Sequence, residues 1–255
     1  EINDNRDIYC AQKCDTIAAA MKNAMWSEET GFYTELTEGE EKIDCVKQVG
    51  GIFSLLLLDP PNPIAFEKDM TASGGFLQTF GLSTVSKDSF GYFPNNTVDG
   101  LKEHTCLWNG PTWPFSTGIS LSAIASYIKR LKTGSLQKKY AKLFSDVFKK
   151  YTKQHIFMTK DRLCLVEHYN CETGTPLSIQ EDYNHSTFIN IFIEDICGLS
   201  IGNDGSIQFH PIDIGVKFLK LEGVLIHNNE YCVEIHQGNA TLYLNSKEIS
   251  RAKCI

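Results

Sequence analysis

The chain has 255 residues, 42% of them hydrophobic and 22% charged, with a formal net charge of -7. That balance supports a sizeable core, excludes the disordered class, and disfavours nucleic acid or an anionic membrane surface as the main partner. No apolar run is long enough for a membrane span, since Leu55-Leu56-Leu57-Leu58 stops at Asp59-Pro60-Pro61.

In chain order, the start Glu1-Ile2-Asn3-Asp4 carries no Met and no signal-peptide pattern, and reads as a mature or truncated end. Apolar residues then recur at helical spacing from about Ile8 to Met25, ending before Trp26-Ser27-Glu28-Glu29-Thr30-Gly31-Phe32-Tyr33. Val46, Val49, Ile52, Phe53 and Leu56 predict a second helix, closed by Asp59-Pro60-Pro61. Asn62-Pro63 caps a third, with Phe66, Met70 and Phe76. A long Gly/Ser/Asn-rich loop follows from Gly81-Leu82-Ser83-Thr84, of a length that inside a compact domain is usually functional.

Pro114 opens a fourth helix with Ile119, Ala123, Tyr127 and Leu131 on one face, ending at Thr133-Gly134. Ser135 starts a fifth, with Leu136, Tyr140, Leu143, Val147 and Tyr151 inward and a Lys-rich solvated side. A second loop runs from His155 to Asn184, and Ser186 caps a sixth helix carrying Phe188, Ile191, Phe192 and Ile196. From Ser206 the pattern changes to short alternating strands, Ile207-Phe209, Val216-Leu221, Val224-Ile226, Tyr231-Ile235 and Thr241-Leu244. Six helices joined alternately by short turns and long loops predict three stacked helical hairpins with the long loops at one end.

The nine cysteines include no Cys-x-x-Cys pair, which disfavours a zinc site; buried reduced thiols are the default reading. Three glycosylation patterns, at Asn95, Asn184 and Asn239, favour a secreted or lumenal setting. Neither a phosphate-cradling glycine loop nor metal-ligand spacing is present, so no cofactor is expected.

Two stretches carry chemistry. Cys106-Leu107-Trp108-Asn109-Gly110-Pro111-Thr112-Trp113-Pro114 sets two indoles around a Gly-Pro turn. The indoles offer flat apolar faces, Asn109 a bidentate amide and Gly110 close backbone approach, a set suited to gripping a sugar ring. The bland reading, a loop that seals the core, stands about even with this one. The second stretch is Val166-Glu167-His168-Tyr169-Asn170-Cys171-Glu172-Thr173-Gly174, with Gln180-Glu181-Asp182-Tyr183-Asn184-His185 behind it. A carboxylate in a partly apolar loop has the acid–base character that glycoside hydrolysis requires, whereas Asp182 and Ser186 are equally placed to cap the next helix and Glu172 reads as an exposed turn residue.

Together these stretches resemble the six-hairpin (α/α)6-toroid glycosidases, especially the mannosylglycerate-hydrolase-like branch of glycoside hydrolase family 63. Trp108-Asn109-Gly110-Pro111-Thr112-Trp113 is similar to that group's Trp-(Arg/Asn)-Gly-Pro-x-Trp substrate loop. Glu167-x-Tyr169-Asn170-x-x-Thr173-Gly174 is similar to its Glu-x-Tyr-Asp-Pro-x-Thr-Gly segment, with Asn170 and Cys171 in place of Asp-Pro. The resemblance implies a mainly α fold, part of an (α/α)6 toroid, followed by a small antiparallel β tail, with a helical domain over 1–203 and a strand domain over 204–255. It implies an inverting O-glycoside hydrolase, or its C-terminal portion, acting on an α-linked sugar. Glu167 is then the general base, Trp108, Asn109, Gly110, Trp113 and His185 meet the carbohydrate, and Tyr169 and Asp182 position Glu167. The family's general acid lies in the toroid's first half and finds no counterpart here, so a missing N-terminal half of the same protein is the expected partner. The alternative is a degenerate carbohydrate-binding protein that keeps the aromatic loop. A protein-interaction solenoid is disfavoured by the absence of a fixed-period repeat.

Overall fold

A computed structural model describes residues 6–39, 41–43, 45–95, 107–156, 158–159, 162–178, 180–183 and 185–255. Cys106, Asn184 and the chain start, all named above, lie outside the described residues, as does the middle of the long loop, 96–106. Helix α1 (Arg6–Ala24) is exposed along most of its length and, among the described residues, meets the core through Ala18 and Met21. Two small hairpins follow, β1 (Trp26–Ser27) with β2 (Phe32–Tyr33) and β3 (Glu35–Leu36) with β4 (Lys42–Ile43). Gly31 at the first turn has φ +66, and a Cβ there would stand 2.9 Å from the Ala65 Cβ, so both conformation and space require glycine.

α2 (Gly50–Phe53) is a single turn that runs into a 3-10 turn at Ser54–Leu56. α3 (Pro63–Thr71) begins with Pro63, and the Asn62 side chain accepts from the Ala65 amide at 3.1 Å. α4 (Pro114–Arg130) and α5 (Ser135–His155) form the one long hairpin among the described residues. Gln137 at the start of α5 donates to the Ile128 and Leu131 carbonyls at the end of α4, which fixes them antiparallel. The small hairpin β5 (Met158–Thr159) with β6 (Arg162–Leu163) precedes α6 (Thr187–Asn190), which continues as a π-helical stretch at Ile191–Ile196. β7 (Leu199–Ile201) pairs with β8 (Ile207–Phe209). An antiparallel meander of β9 (Phe218–Ile226), β10 (Asn229–His236), β11 (Asn239–Leu244) and β12 (Lys247–Lys253) completes the fold.

This architecture corrects the mainly α expectation. Helix makes up 36% of the chain and strand 24%, with several antiparallel sheets, and not a toroid of helical hairpins. Two predicted helices depart from regular α geometry for identifiable reasons: the second shortens to α2 with its 3-10 turn, and the sixth is α-helical only over its first turn. Gln48 is drawn into a bridge with Val85, and the Gly50-Gly51 pair weakens the helix it opens. A Cβ at Gly51 would stand 2.6 Å from the Tyr33 carbonyl oxygen, so the glycine is kept for close packing. Beyond α6, the Cys197 amide bonds the Phe192 carbonyl five residues back, so the last turn is wide. The long loops are also not structureless, because isolated bridges tie them into a narrow ladder.

The main core lies between α4, α5, α3 and the first hairpin. Phe32 stacks on Phe66 at 4.7 Å and on Phe76 at 5.2 Å, and α4 is buried on nearly every side. A second cluster, of Tyr231, Val233, Ile235, Ala240 and Leu242 with Cys197, Leu199 and Cys254, lies under the terminal sheet; Phe192 and Leu219 pack against both clusters. The eight described cysteines are free. Asn95 and Asn239 are exposed.

Candidate active site

Thr112 is the centre of the ladder. It bridges Ser83 on one side and Tyr169 on the other, and Tyr169 bridges Pro176. Thr112 and Tyr169 exchange backbone bonds of 2.9 and 3.0 Å, and the Leu177 amide donates to the His168 carbonyl at 3.1 Å. The tryptophan loop and the Glu167 segment, more than fifty residues apart in sequence, are therefore adjacent strands. Gly81 makes the approach possible, because a Cβ there would stand 2.5 Å from the Thr112 hydroxyl.

Below the ladder Tyr169 is wholly buried. Its hydroxyl donates to the Gln154 carbonyl at 3.1 Å and accepts from the Val166 amide at 3.0 Å, and burial pushes its pKa up to about 12. The turn after it is architectural. Asn170 Oδ1 accepts from the Glu172 and Thr173 amides at 2.9 Å each, so the asparagine keeps the acceptor that an aspartate would offer there. Gly174, at φ +79, lies against the Phe80 ring.

Glu167 is 6% exposed. Its Oε2 accepts a hydrogen bond from the Ser178 hydroxyl at 3.1 Å, and His168 Nδ1 lies 3.8 Å from the same oxygen. The His168 ring stacks on Trp113 at 4.5 Å with an interplanar angle of 11°, and Trp113 meets Trp108 at 5.3 Å. Burial holds the His185 pKa down while attraction to Glu167 opposes it, which puts this imidazole within electrostatic reach of the carboxylate. His185 also touches Phe115 at 5.7 Å and Tyr183 at 5.0 Å, and Phe115 meets Trp108 at 6.2 Å. The result is a buried carboxylate backed by an indole–imidazole stack and edged by Trp108, Phe115, His185 and Tyr183.

The sequence-predicted residues divide into three groups. Glu167, Trp108, Trp113 and His185 come together. Trp113 is only 3% exposed, with its Nε1 donating to the Leu107 carbonyl, so Trp108 is the more open of the two indoles. Asn109 and Gly110 sit beside them. The Asn109 carbonyl accepts from the Phe93 amide and its Oδ1 has no hydrogen-bond partner among the described residues, while the close approach at Gly110 is to the Phe93 backbone. Tyr169 lies beneath, and Asp182 turns to the surface, where both oxygens accept from Arg162 at 2.7 and 2.8 Å.

Sequence reasoning missed Ser178, His168 and Phe115. Phe115 was within reach as the neighbour of Trp113-Pro114, and His168 as the neighbour of Glu167. Ser178 gave no local signal, since its place depends on which residues the returning strand sets opposite Glu167. Among the described residues no group of three His, Cys, Asp or Glu side chains is arranged to hold a metal, and no helix is long and apolar enough to cross a membrane.

Residues 3–186 match the family described as the mannosylglycerate hydrolase MGH1-like glycoside hydrolase domain. Among solved structures, a sialidase is similar over 97% of this chain at 20% identity and a TM-score of 0.78, a likeness of fold; the chain spans 23% of that protein's length. An uncharacterized conserved protein from Thermus thermophilus overlaps 60% of this chain and 33% of its own at 17% identity and a TM-score of 0.39. No curated protein sequence matches.

Proposed function

The chain belongs to the mannosylglycerate hydrolase MGH1-like glycoside hydrolase family, and on that footing we propose that it supplies the water-activating side of an inverting O-glycoside hydrolase acting on an α-linked sugar. Glu167 is the general base, taking a proton from the water that attacks the anomeric carbon. The observation that carries this reading is the position of Glu167: a nearly buried, hydrogen-bonded carboxylate on the strand next to the tryptophan loop. Trp108 and Phe115 are the stacking faces for the sugar, backed by Trp113. Asn109 Oδ1 and His185 Nε2, both without a hydrogen-bond partner among the described residues, are the acceptors for its hydroxyls.

An inverting enzyme also needs a carboxylic acid about 6.5–9.5 Å from the base. Among the described residues Asp69 is committed to Lys47 at 2.5 Å and Asp182 to Arg162; the acid of this proposal comes from an N-terminal half of the same protein. The same two ion pairs favour the second reading, a carbohydrate-binding protein that has lost its acid.

One experiment separates the two readings. Full-length protein and its Glu167→Gln variant are assayed on aryl α-glycosides and disaccharides, with sugar binding followed by calorimetry. The hydrolase reading expects turnover that the variant lowers by about 10²–10⁴-fold with binding kept. Preserved turnover in the variant removes Glu167 as the base, and binding without turnover in the unaltered protein supports the second reading.

A further inference from the structure

A serine hydroxyl has one proton to give and lone pairs to receive. At Ser178 both functions are assigned: Oγ accepts from the Gln180 amide at 3.0 Å, and its proton is directed to Glu167 Oε2 at 3.1 Å. The serine is held at that position by backbone pairing, because the Glu167 amide donates to the Gln180 carbonyl at 3.2 Å and the Leu177 amide to the His168 carbonyl at 3.1 Å. The side chain is buried, so water does not substitute easily for the bond. Among the described residues, the titratable groups facing the carboxylate are His168, clamped on Trp113 with Nδ1 at 3.8 Å from Oε2, and His185 across the site, with His155 on α5 behind His185. Arg162, Glu181 and Asp182 pair with one another on the exposed side.

We infer that Ser178 is the positioning residue of the proposed base: its donated hydrogen bond holds the Glu167 carboxylate in the orientation from which it accepts a proton from water. The inference rests on the reading of Glu167 as the base.

The test uses full-length protein with Ser178→Ala, Ser178→Thr and Glu167→Gln. One arm measures kcat and KM on the aryl α-glycoside that the unaltered protein turns over. The other records the side-chain carboxyl carbon of Glu167 by 13C NMR at a single neutral pH, identified by its loss in Glu167→Gln, and needs no turnover. Ser178→Ala is expected to lower kcat about tenfold with KM little changed, and to displace the carboxyl resonance. Ser178→Thr restores both. A merely structural serine lowers the melting temperature on removal and moves neither kcat nor the resonance, so an unchanged kcat and an unchanged resonance in Ser178→Ala overturn the inference. Retained turnover in Glu167→Gln overturns the base reading instead, and the NMR arm still decides whether Ser178 acts on the carboxylate.

Discussion

Replacing Tyr169 by Phe removes one oxygen atom and keeps the ring. That oxygen is wholly buried and makes two bonds among the described residues, giving its proton to the Gln154 carbonyl at 3.1 Å and receiving the Val166 amide at 3.0 Å. Leaving a buried polar partner unmatched costs about 1–3 kcal/mol, so two partners bring the expected loss to about 2–6 kcal/mol. For a chain of this size that lowers the melting temperature by about 4–24 °C. Tyr140→Phe is the internal control. Tyr140 is equally buried, but its hydroxyl makes a single bond, to the Pro63 carbonyl at 2.9 Å, so about half the loss is expected. Urea titrations read by circular dichroism, backed by calorimetry, give both values. If Tyr169→Phe proves no less stable than Tyr140→Phe, the account of Tyr169 as the support of the Val166-Glu167 backbone fails.

Two other parts of the molecule can be perturbed in the same way. Gly174→Ala puts a side chain at φ +79 and a Cβ 2.5 Å from the Phe80 ring, and chemical denaturation should show a loss of about 1–3 kcal/mol; an unchanged midpoint would mean that the turn relaxes freely. His155 has its pKa lowered from 6.5, first by burial and further by His185, against a raising bond to the Tyr151 carbonyl. Unfolded chain therefore binds the proton more readily, so this contribution to stability is complete above pH 6.5 and is lost as the pH falls below it. His155→Gln should flatten that part of the stability–pH curve, as read by thermal melts between about pH 5 and 8.

Legibility in the sequence tracked the range of the interactions that place each residue. α5 was legible because its apolar residues at helical spacing and its lysines separate cleanly into two faces. α4 was legible as a helix but not as one buried all round. Ser116 and Ser120 look like solvent-facing positions, yet their hydroxyls bond to carbonyls three and four residues back, and their small size lets neighbours pack closely. β12, Lys-Glu-Ile-Ser-Arg-Ala-Lys, was missed because a polar edge strand has almost no apolar alternation. The motif around Glu167 could be read as a unit, but the serine that serves it is placed by the register of a returning strand, which no local pattern encodes.

The Thr112 ladder fixes the catalytic candidate and the aromatic rim by different means. Glu167 is held by main-chain pairing that any residue type except proline can maintain. Trp108 meets Phe115, and Phe115 and Tyr183 each meet His185, through ring contacts of their side chains. Swapping rim aromatics should therefore change which ligand fits while leaving the carboxylate where it is, so that selectivity and reactivity become separate targets for directed evolution.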